Sequence, residues 1–246
     1  MERIPVVIPS HKRADKVLTK RIVNDPIICV PEAQEAEYRK HNPECEILTH
    51  PDTVIGLDPK RDWIYNHFGD VMMLDDDISG VTAMYREAGE KSKVAKDTFS
   101  EIIQQTAFIA REIGCYLFGF GDVVRPAYYD EYKPIKLSGF VNGRSLGMLK
   151  GSGLSFVSDL TAVEDFYMSC MNAYTHRKAY IDNRFFLQQK DTFKNQGGQA
   201  EYRNMATEKK ATLGLRKLFG EVIELKKDGG ETARTRPYQR RMKLPF

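Results

Sequence analysis

No stretch of this chain stays apolar for the roughly 18 to 20 residues that crossing a bilayer requires, so no membrane span is expected. The opening Met1-Glu2-Arg3, followed directly by Ile4 to Ile8, is too short for a signal peptide. The expected location is the cytoplasm, that of the host if the source is viral, with no membrane and no stable protein partner. Cysteine is sparse: Cys29, Cys45, Cys115 and Cys170 lie far apart with no Cys-x-x-Cys pair. That argues against a zinc site or a disulfide framework and for reduced, buried thiols. Two phosphate-handling signatures are missing as well. There is no Gly-x-Gly-x-x-Gly after the first apolar run and no Gly-x-x-x-x-Gly-Lys-Ser/Thr loop. Dehydrogenase and P-loop chemistries lose ground accordingly. Internal repeats and low-complexity segments are absent too.

What is present is an ordinary globular composition. The 246 residues are 41% hydrophobic and 29% charged, enough for a sizeable core and at the upper edge of what one core serves. One domain over 1–225 with a basic tail over 226–246 is expected. The domain divides into two halves, about 1–120 and about 121–225. The net charge of +3 is unevenly distributed: Lys226, Lys227, Arg234, Arg236, Arg240, Arg241 and Lys243 face only Asp228 and Glu231. A slightly acidic body thus carries a basic tail, which suits a polyanion, most simply nucleic acid; a solvated tail that aids solubility is the alternative.

The first half alternates short apolar runs with helical patterns, as βαβ units do. Strands are expected at Ile4–Ile8, Ile27–Val30, Glu46–Thr49 and Val71–Leu74, and helices at Ala14–Lys20, Glu32–Lys40 and Pro59–His67. A longer helix over Thr98–Ile113, opened by a Thr98/Glu101 capping box, leads into a strand at Cys115–Phe118. Beyond it, Ile135–Asn142, Leu154–Val157 and Ala179–Leu187 read as strands, Val163–Tyr174 and Ala200–Leu218 as helices, and Glu221–Leu225 as a last strand. The fold class expected is α/β: a mostly parallel central sheet flanked by helices, with antiparallel strands added in the C-terminal half.

The run Val71-Met72-Met73-Leu74 delivers Asp75, Asp76 and Asp77 to the carboxyl end of a buried strand, where open α/β sheets bind ligands. Alternation puts Asp75 and Asp77 on one face and Asp76 on the other. Two convergent carboxylates form a hard oxygen site for Mg²⁺ or Mn²⁺. Upstream, Asp58-Pro59-Lys60-Arg61 reads as a helix start with Asp58 as N-cap. Cations in a first turn oppose the helix dipole unless an anion sits there, so Arg61 is a candidate grip on a diphosphate. Pro9, Ser10, His11 and Arg13, ending the first strand, offer donors to a nucleotide. At the start of a later helix, Glu164 has capping-box spacing from Thr161, which leaves Asp165 as the better general base. Lys194, Gln196, Gly197 and Gly198 lie in a polar stretch that could cover the site. Arg236, Arg240 and Arg241 are candidates for holding an acceptor.

The Ile-Pro-Ser-His-Lys-Arg opening, the Asp-Pro-Lys-Arg-Asp helix start, Met-Leu-Asp-Asp-Asp-Ile and Val-Glu-Asp-Phe together resemble GT-A-fold glycosyltransferases with an Asp-x-Asp motif. The compact Leu-Asp-Asp-Asp-Ile and Val-Glu-Asp signatures are similar to the phage and TET/JBP-associated glycosyltransferases of hydroxymethylated pyrimidines in DNA. The resemblance spans about residues 4–175. It implies a nucleotide-binding half, about 1–120, and an acceptor half, about 121–225, with Asp75 facing the sugar nucleotide, Asp77 holding the metal and Asp165 meeting the acceptor hydroxyl; Asp76 is a further donor-binding candidate. Arg61 would match the cation before the metal motif, and Pro9–Arg13 the nucleotide pocket. This chain lacks a clear C-terminal histidine ligand. The activity implied is metal-dependent hexosyl or pentosyl transfer from a nucleotide diphosphate sugar, UDP-linked, to a hydroxyl, best matched by 5-hydroxymethylcytosine in phage DNA. A glycan, protein or small-molecule acceptor, nucleotidyl transfer, and a non-catalytic nucleic-acid-binding module are the alternatives.

Overall fold

The computed structural model describes residues 2–87, 89–157, 160, 163–190, 204–225 and 238–244. In chain order the elements are β1 (Val6–Pro9), β2 (Ile27–Pro31), α1 (Glu35–His41), β3 (Glu46–His50), α2 (Leu57–Phe68), β4 (Val71–Leu74) and β5 (Ile78–Ala83). There follow α3 (Lys96–Glu112), β6 (Leu117–Phe120), β7 (Ile135–Lys136), β8 (Ser145–Met148), α4 (Glu164–Thr175), β9 (Tyr180–Asp182), β10 (Phe185–Gln189), α5 (Met205–Phe219), β11 (Ile223–Leu225) and β12 (Arg240–Met242).

Eight strands form one sheet in the order β3-β2-β1-β4-β8-β6-β9-β7. β3, β2, β1 and β4 run parallel. β8 is antiparallel to both β4 and β6, β9 is parallel to β6, and β7 is an antiparallel edge. The fold class expected from the sequence is the one found.

Both faces of the sheet are covered, which is why the central strands read as unbroken apolar runs. Val6, Met72, Leu74, Phe118 and Phe120 pack with Phe99, Ile103, Ala107 and Ala110 of α3. Their alternates Val7, Val71, Met73 and Leu117 pack with Ile64 and Tyr65 of α2 and Met168 of α4. At about 1.5 to 3 kcal/mol for each large apolar side chain fully buried, four-residue β4 is anchored firmly despite its length. A third cluster joins Ile8, Ile28, Val30 and Ile47 to Tyr38 of α1. Cys29, Cys115 and Cys170 are buried, Cys45 is half-buried, and all four are free thiols. Among the described residues no helix is long and apolar enough to cross a membrane.

Several local expectations are corrected. Ala14–Lys20 is not one helix but two 3-10 turns, Ala14–Lys16 and Thr19–Arg21, because the amides of Leu18 and Thr19 are drawn to the carbonyl of Asp76. Asp58 is not an N-cap: α2 starts at Leu57 after Gly56. Nor do Thr98 and Glu101 form a capping box, since α3 starts at Lys96 after Ala95. Leu154–Val157 forms no strand; its amides go to side chains, Leu154 N to Ser152 Oγ and Phe156 N to Asp62 Oδ1. Of Ile135–Asn142 only Ile135–Lys136 is a strand. Ala179–Leu187 breaks in two where Arg184 N donates to Asp182 Oδ1, and β10 leaves the main sheet to pair with β5. The segment read as a tail returns as β12, antiparallel to β11.

β8 fits between β4 and β6 through Gly147, where an added Cβ would land on the ring of Phe118. Gly147→Ala is therefore expected to lower stability by about 1 to 3 kcal/mol, the usual cost of overpacking. A urea titration of variant and parent checks this, and equal midpoints would show that Phe118 can move aside.

Candidate active site

The strand order reverses at β1. From it the chain builds outward through β2 to β3, then returns to lay β4 on the other side. A reversal of this kind opens a crevice at the carboxyl ends of the strands, and here the two ends are Pro9–Arg13 and Asp75–Asp77. Asp76 bridges them: its Oδ2 accepts from Ser10 Oγ at 2.6 Å and its Oδ1 from Arg13 Nη1 at 2.9 Å. Tyr38 supports the same loop, with its hydroxyl 2.8 Å from Ser10 Oγ and accepting from Arg13 N at 3.0 Å. Buried Pro9 ends β1. Gln34 holds the next two residues, its Nε2 2.9 Å from His11 Nδ1 and its Oε1 accepting from Lys12 N. Lys12 thereby keeps a left-handed φ of 54°, a strain of order 1 kcal/mol that surrounding bonds must hold.

Asp75 and Asp77 turn the other way, in the turn that follows β4. They converge on one group, the Nε2 of Gln189 on β10, which donates to Asp75 Oδ2 and to Asp77 Oδ1, each at 3.0 Å. Thr19 braces the turn from behind: its hydroxyl donates to the carbonyl of Asp75 and accepts from Ile78 N.

Arg61 joins this turn to the second half of the chain. Its side chain is 1% exposed, and its Nη2 donates to Asp75 Oδ1 at 2.8 Å and to the carbonyl of Gly143 at 2.7 Å. Its Nη1 reaches Glu164 Oε1 at 3.3 Å. Arg61 was expected to face a diphosphate; the structure turns it inward onto carboxylates instead. Neighbouring Lys60 is likewise buried, its Nζ on the carbonyl of Ser10, and burial pulls its ammonium down to about 8, partly offset by Cys29 and Asp76.

Glu164 and Asp165 open α4, with Val163 at the N-cap. That places Glu164 at the first helical position, whereas a capping box needs it at the third; Thr161 itself lies outside the described residues. Asp165 Oδ1 accepts from Phe166 N at 2.8 Å and its Oδ2 from Gly143 N at 3.3 Å. Gly143 is thus shared, its carbonyl on Arg61 and its amide on Asp165. A side chain here would press on both.

The electrostatics follow from enclosure. Burial pushes the Asp75 carboxyl up to about 7, against the pull of Arg61 and with the push of Asp77, Asp76 and Glu164. Asp77 is raised, by burial and then by Asp76. Asp165 rises to about 6 through burial and Glu164, opposed by Arg240 and by the amides of Gly143 and Phe166. Burial opposes the charge of Arg61, but Asp75, Glu164, Asp58 and Asp165 outweigh it and raise its pKa. Among the described residues no group of three or more His, Cys, Asp and Glu could hold a metal ion. Asp75 Oδ2 and Asp77 Oδ1 nonetheless converge on one point, and carboxylate oxygens are the donor type that a hard divalent cation takes.

Two tail candidates are corrected. Arg240 is buried against α4 and α5: its Nη1 meets Thr212 Oγ1 at 2.9 Å and Glu208 Oε1 at 3.5 Å, and its guanidinium lies over the Phe166 ring. Enclosed there, it cannot present its charge to a polyanion. Arg241 is exposed but paired with Glu224 at 2.6 Å. Lys194, Gln196, Gly197, Gly198 and Arg236 lie outside the described residues. Gln189, Gly143 and Thr19 were missed by sequence reasoning. Their long-range pairing reveals them.

Removing Arg61 leaves Asp75 and Glu164 without their cation. Arg61→Met is expected to cost about 3 to 5 kcal/mol near neutral pH, as breaking a buried ion pair does. The sign with pH is fixed: carboxyls raised further in the folded state bind protons that the unfolded chain has released, so the deficit grows as pH rises. Denaturant titrations at pH 5 and pH 8 check this, with the larger deficit expected at pH 8.

Residues 4–198 match the TET-associated glycosyltransferase family. No curated protein matches the chain. Among solved structures it is similar to S. aureus TarS 1-349, at 10% sequence identity and a TM-score of 0.45, over 89% of this chain and 73% of that one. The family match takes in well over half of the sequence, with all five carboxylates of the crevice and α4 inside it. The chain belongs to the TET-associated glycosyltransferase family, and is a glycosyltransferase.

Proposed function

We propose that this glycosyltransferase moves a sugar from a nucleotide diphosphate donor, UDP-linked, to the hydroxyl of 5-hydroxymethylcytosine in DNA, with a divalent cation at Asp75 and Asp77. The observation that carries the reading is the arrangement around Arg61. One buried guanidinium ties a carboxylate of the converging pair, Asp75, to the start of α4, where Asp165 stands with its carboxyl raised to about 6.

In this reading the loop from Ser10 to Arg13, locked onto Asp76, borders the nucleotide. A cation, Mn²⁺ or Mg²⁺, held by Asp75 and Asp77 would supply positive charge to the leaving diphosphate. Asp165 takes the proton of the acceptor hydroxyl as its oxygen bonds to the anomeric carbon and the diphosphate departs with the electron pair of the broken bond. A carboxylate with a pKa near 6 is a stronger base than an ordinary aspartate, yet remains mostly ionised at neutral pH. Arg61 acts as a positioning residue between the two groups. The DNA acceptor is supported by the family's TET association. The charge of the tail supports it less than expected, since Arg240 and Arg241 are engaged within the fold.

Asp77→Ala is expected to abolish both transfer and donor hydrolysis, by on the order of 1,000-fold if the cation contributes several kcal/mol. It should also remove any Mn²⁺-dependent thermal stabilisation by UDP-sugars. Turnover retained in that variant would overturn the metal assignment. Because Asp165 must be ionised, the rate should fall as pH drops through about 6, and Asp165→Asn should remove activity across the range. Arg240→Met, which withdraws a cation that favours ionised Asp165, should move the acidic limb to higher pH. Mass analysis of nucleosides from hydroxymethylated DNA incubated with candidate donors tests the acceptor, and unmodified cytosine derivatives alongside efficient donor hydrolysis would count against it.

A further inference from the structure

The metal reading gives the cation only two protein carboxylates, and among the described residues no third His, Cys, Asp or Glu joins them. We propose that the third protein ligand is the side-chain amide oxygen of Gln189, which with Asp75 Oδ2 and Asp77 Oδ1 makes a face of three hard oxygens for Mn²⁺ or Mg²⁺. The proposal rests on the reading above that transfer uses a divalent cation.

Among the described residues the amide of Gln189 is the one group that both carboxylates address, at 3.0 Å each. Without a cation the two acidic oxygens draw its NH₂ toward them. The oxygen and nitrogen of a primary amide occupy nearly interchangeable positions, so half a turn about the terminal bond exchanges them. Adjacent ligands of an octahedral cation at ~2.1 Å lie ~3.0 Å apart. The amide atom already has that spacing to each carboxylate oxygen, so the half turn puts the amide oxygen where a cation shared with either carboxylate would meet it. Glutamine and asparagine oxygens are ordinary ligands of such cations.

The backbone fixes this placement. β10 pairs with β5, and its register shifts between Gln188 and Gln189, putting Gln189 opposite Ile78, the residue after Asp77. Lys190 N then donates to the carbonyl of Asp77 at 3.1 Å. A bulge of this kind re-aims a side chain. Gln188 bonds Thr82 Oγ1 at 2.6 Å, while Gln189 turns onto the aspartates. Two successive glutamines thus have different partners, which supplies an internal control.

The test is Mn²⁺ binding to the full chain, followed by the loss of the free-ion electron paramagnetic resonance signal, with and without UDP. It compares the parent, Gln189→Ala, Gln189→Glu and Gln188→Ala, each first shown to be folded by circular dichroism. Loss of an outer partner of a metal ligand already costs about 10- to 100-fold in affinity, so Gln189→Ala should lose at least that. Gln189→Glu, which keeps an oxygen in place, should restore or exceed the parent's affinity, and Gln188→Ala should match the parent. Equal or tighter Mn²⁺ binding by Gln189→Ala overturns the ligand assignment, the tighter case marking the amide as a competitor that the cation displaces, and leaves the metal reading intact. If the parent itself binds no Mn²⁺ in either condition, the metal reading fails and this proposal falls with it.

Discussion

A single buried cation organises the site. Enclosing a guanidinium costs several kcal/mol in lost hydration, and the cost is recovered only where carboxylates and carbonyls meet it in good geometry. Arg61 has Asp75, Glu164 and the Gly143 carbonyl around it. Those partners come from the end of β4, the start of α4 and the loop before β8, and Arg61 itself from α2. Two stretches of the chain, α2 with β4 and the Gly143 loop with α4, the nearer contact spanning 82 positions, must therefore be in register before its charge is satisfied, and a slip of either leaves an ion stranded in the interior. The end of β4 and the start of α4 are thereby tied together through Asp75 and Glu164 by one planar guanidinium.

The same logic separates the three adjacent aspartates. Left together, like charges raise one another's pKa values and favour protonation. The turn resolves the conflict by giving each a different environment. Asp76 is neutralised by Arg13 and bonded by Ser10, so it closes the crevice from the β1 side and stays a structural anchor. Asp75 has Arg61 on one oxygen and Gln189 on the other. Asp77 has the shared amide of Gln189 but no cation bonded to its carboxylate among the described residues. Negative charge is thus least compensated where Asp75 and Asp77 converge, which is the place a hard cation would relieve.

What could be read from the sequence was whatever depends on neighbours along the chain. Val71–Leu74 declared a strand covered on both faces, and the structure has it so, with the three aspartates following at its carboxyl end. Apart from Ala14–Lys20, which is two 3-10 turns, helix positions were legible within a few residues, but their caps were not. Asp58 and Thr98 look like caps by type, yet each helix begins earlier, after Gly56 and Ala95. The role of Arg61 was misjudged for a related reason: a cation in a first turn asks for an anion, and here the anions are side chains 14 and 103 positions away. Gln189 and Thr19 gave no signal at all, because a polar residue in a strand or a turn is ordinary until its partner is known.

The C-terminal ribbon shows how elements outside the matched family region bear on the site. α5, β11 and β12 pack on α4 through Leu160, Val163, Cys170, Ala211, Leu215, Val222 and Ile223. Arg240 lies over Phe166, whose ring packs at 4.4 Å on Phe140. Three residues on, Gly143 holds Arg61 by its carbonyl and Asp165 by its amide. A continuous line of packed groups therefore runs from β12 to the proposed base, and the cation at its far end also favours the ionised form of Asp165. The basic character of the last segment, which in the sequence pointed outward to a polyanion, is in part directed inward. At Arg240 it serves to seat α4 and to keep a half-buried carboxylate usable near neutral pH.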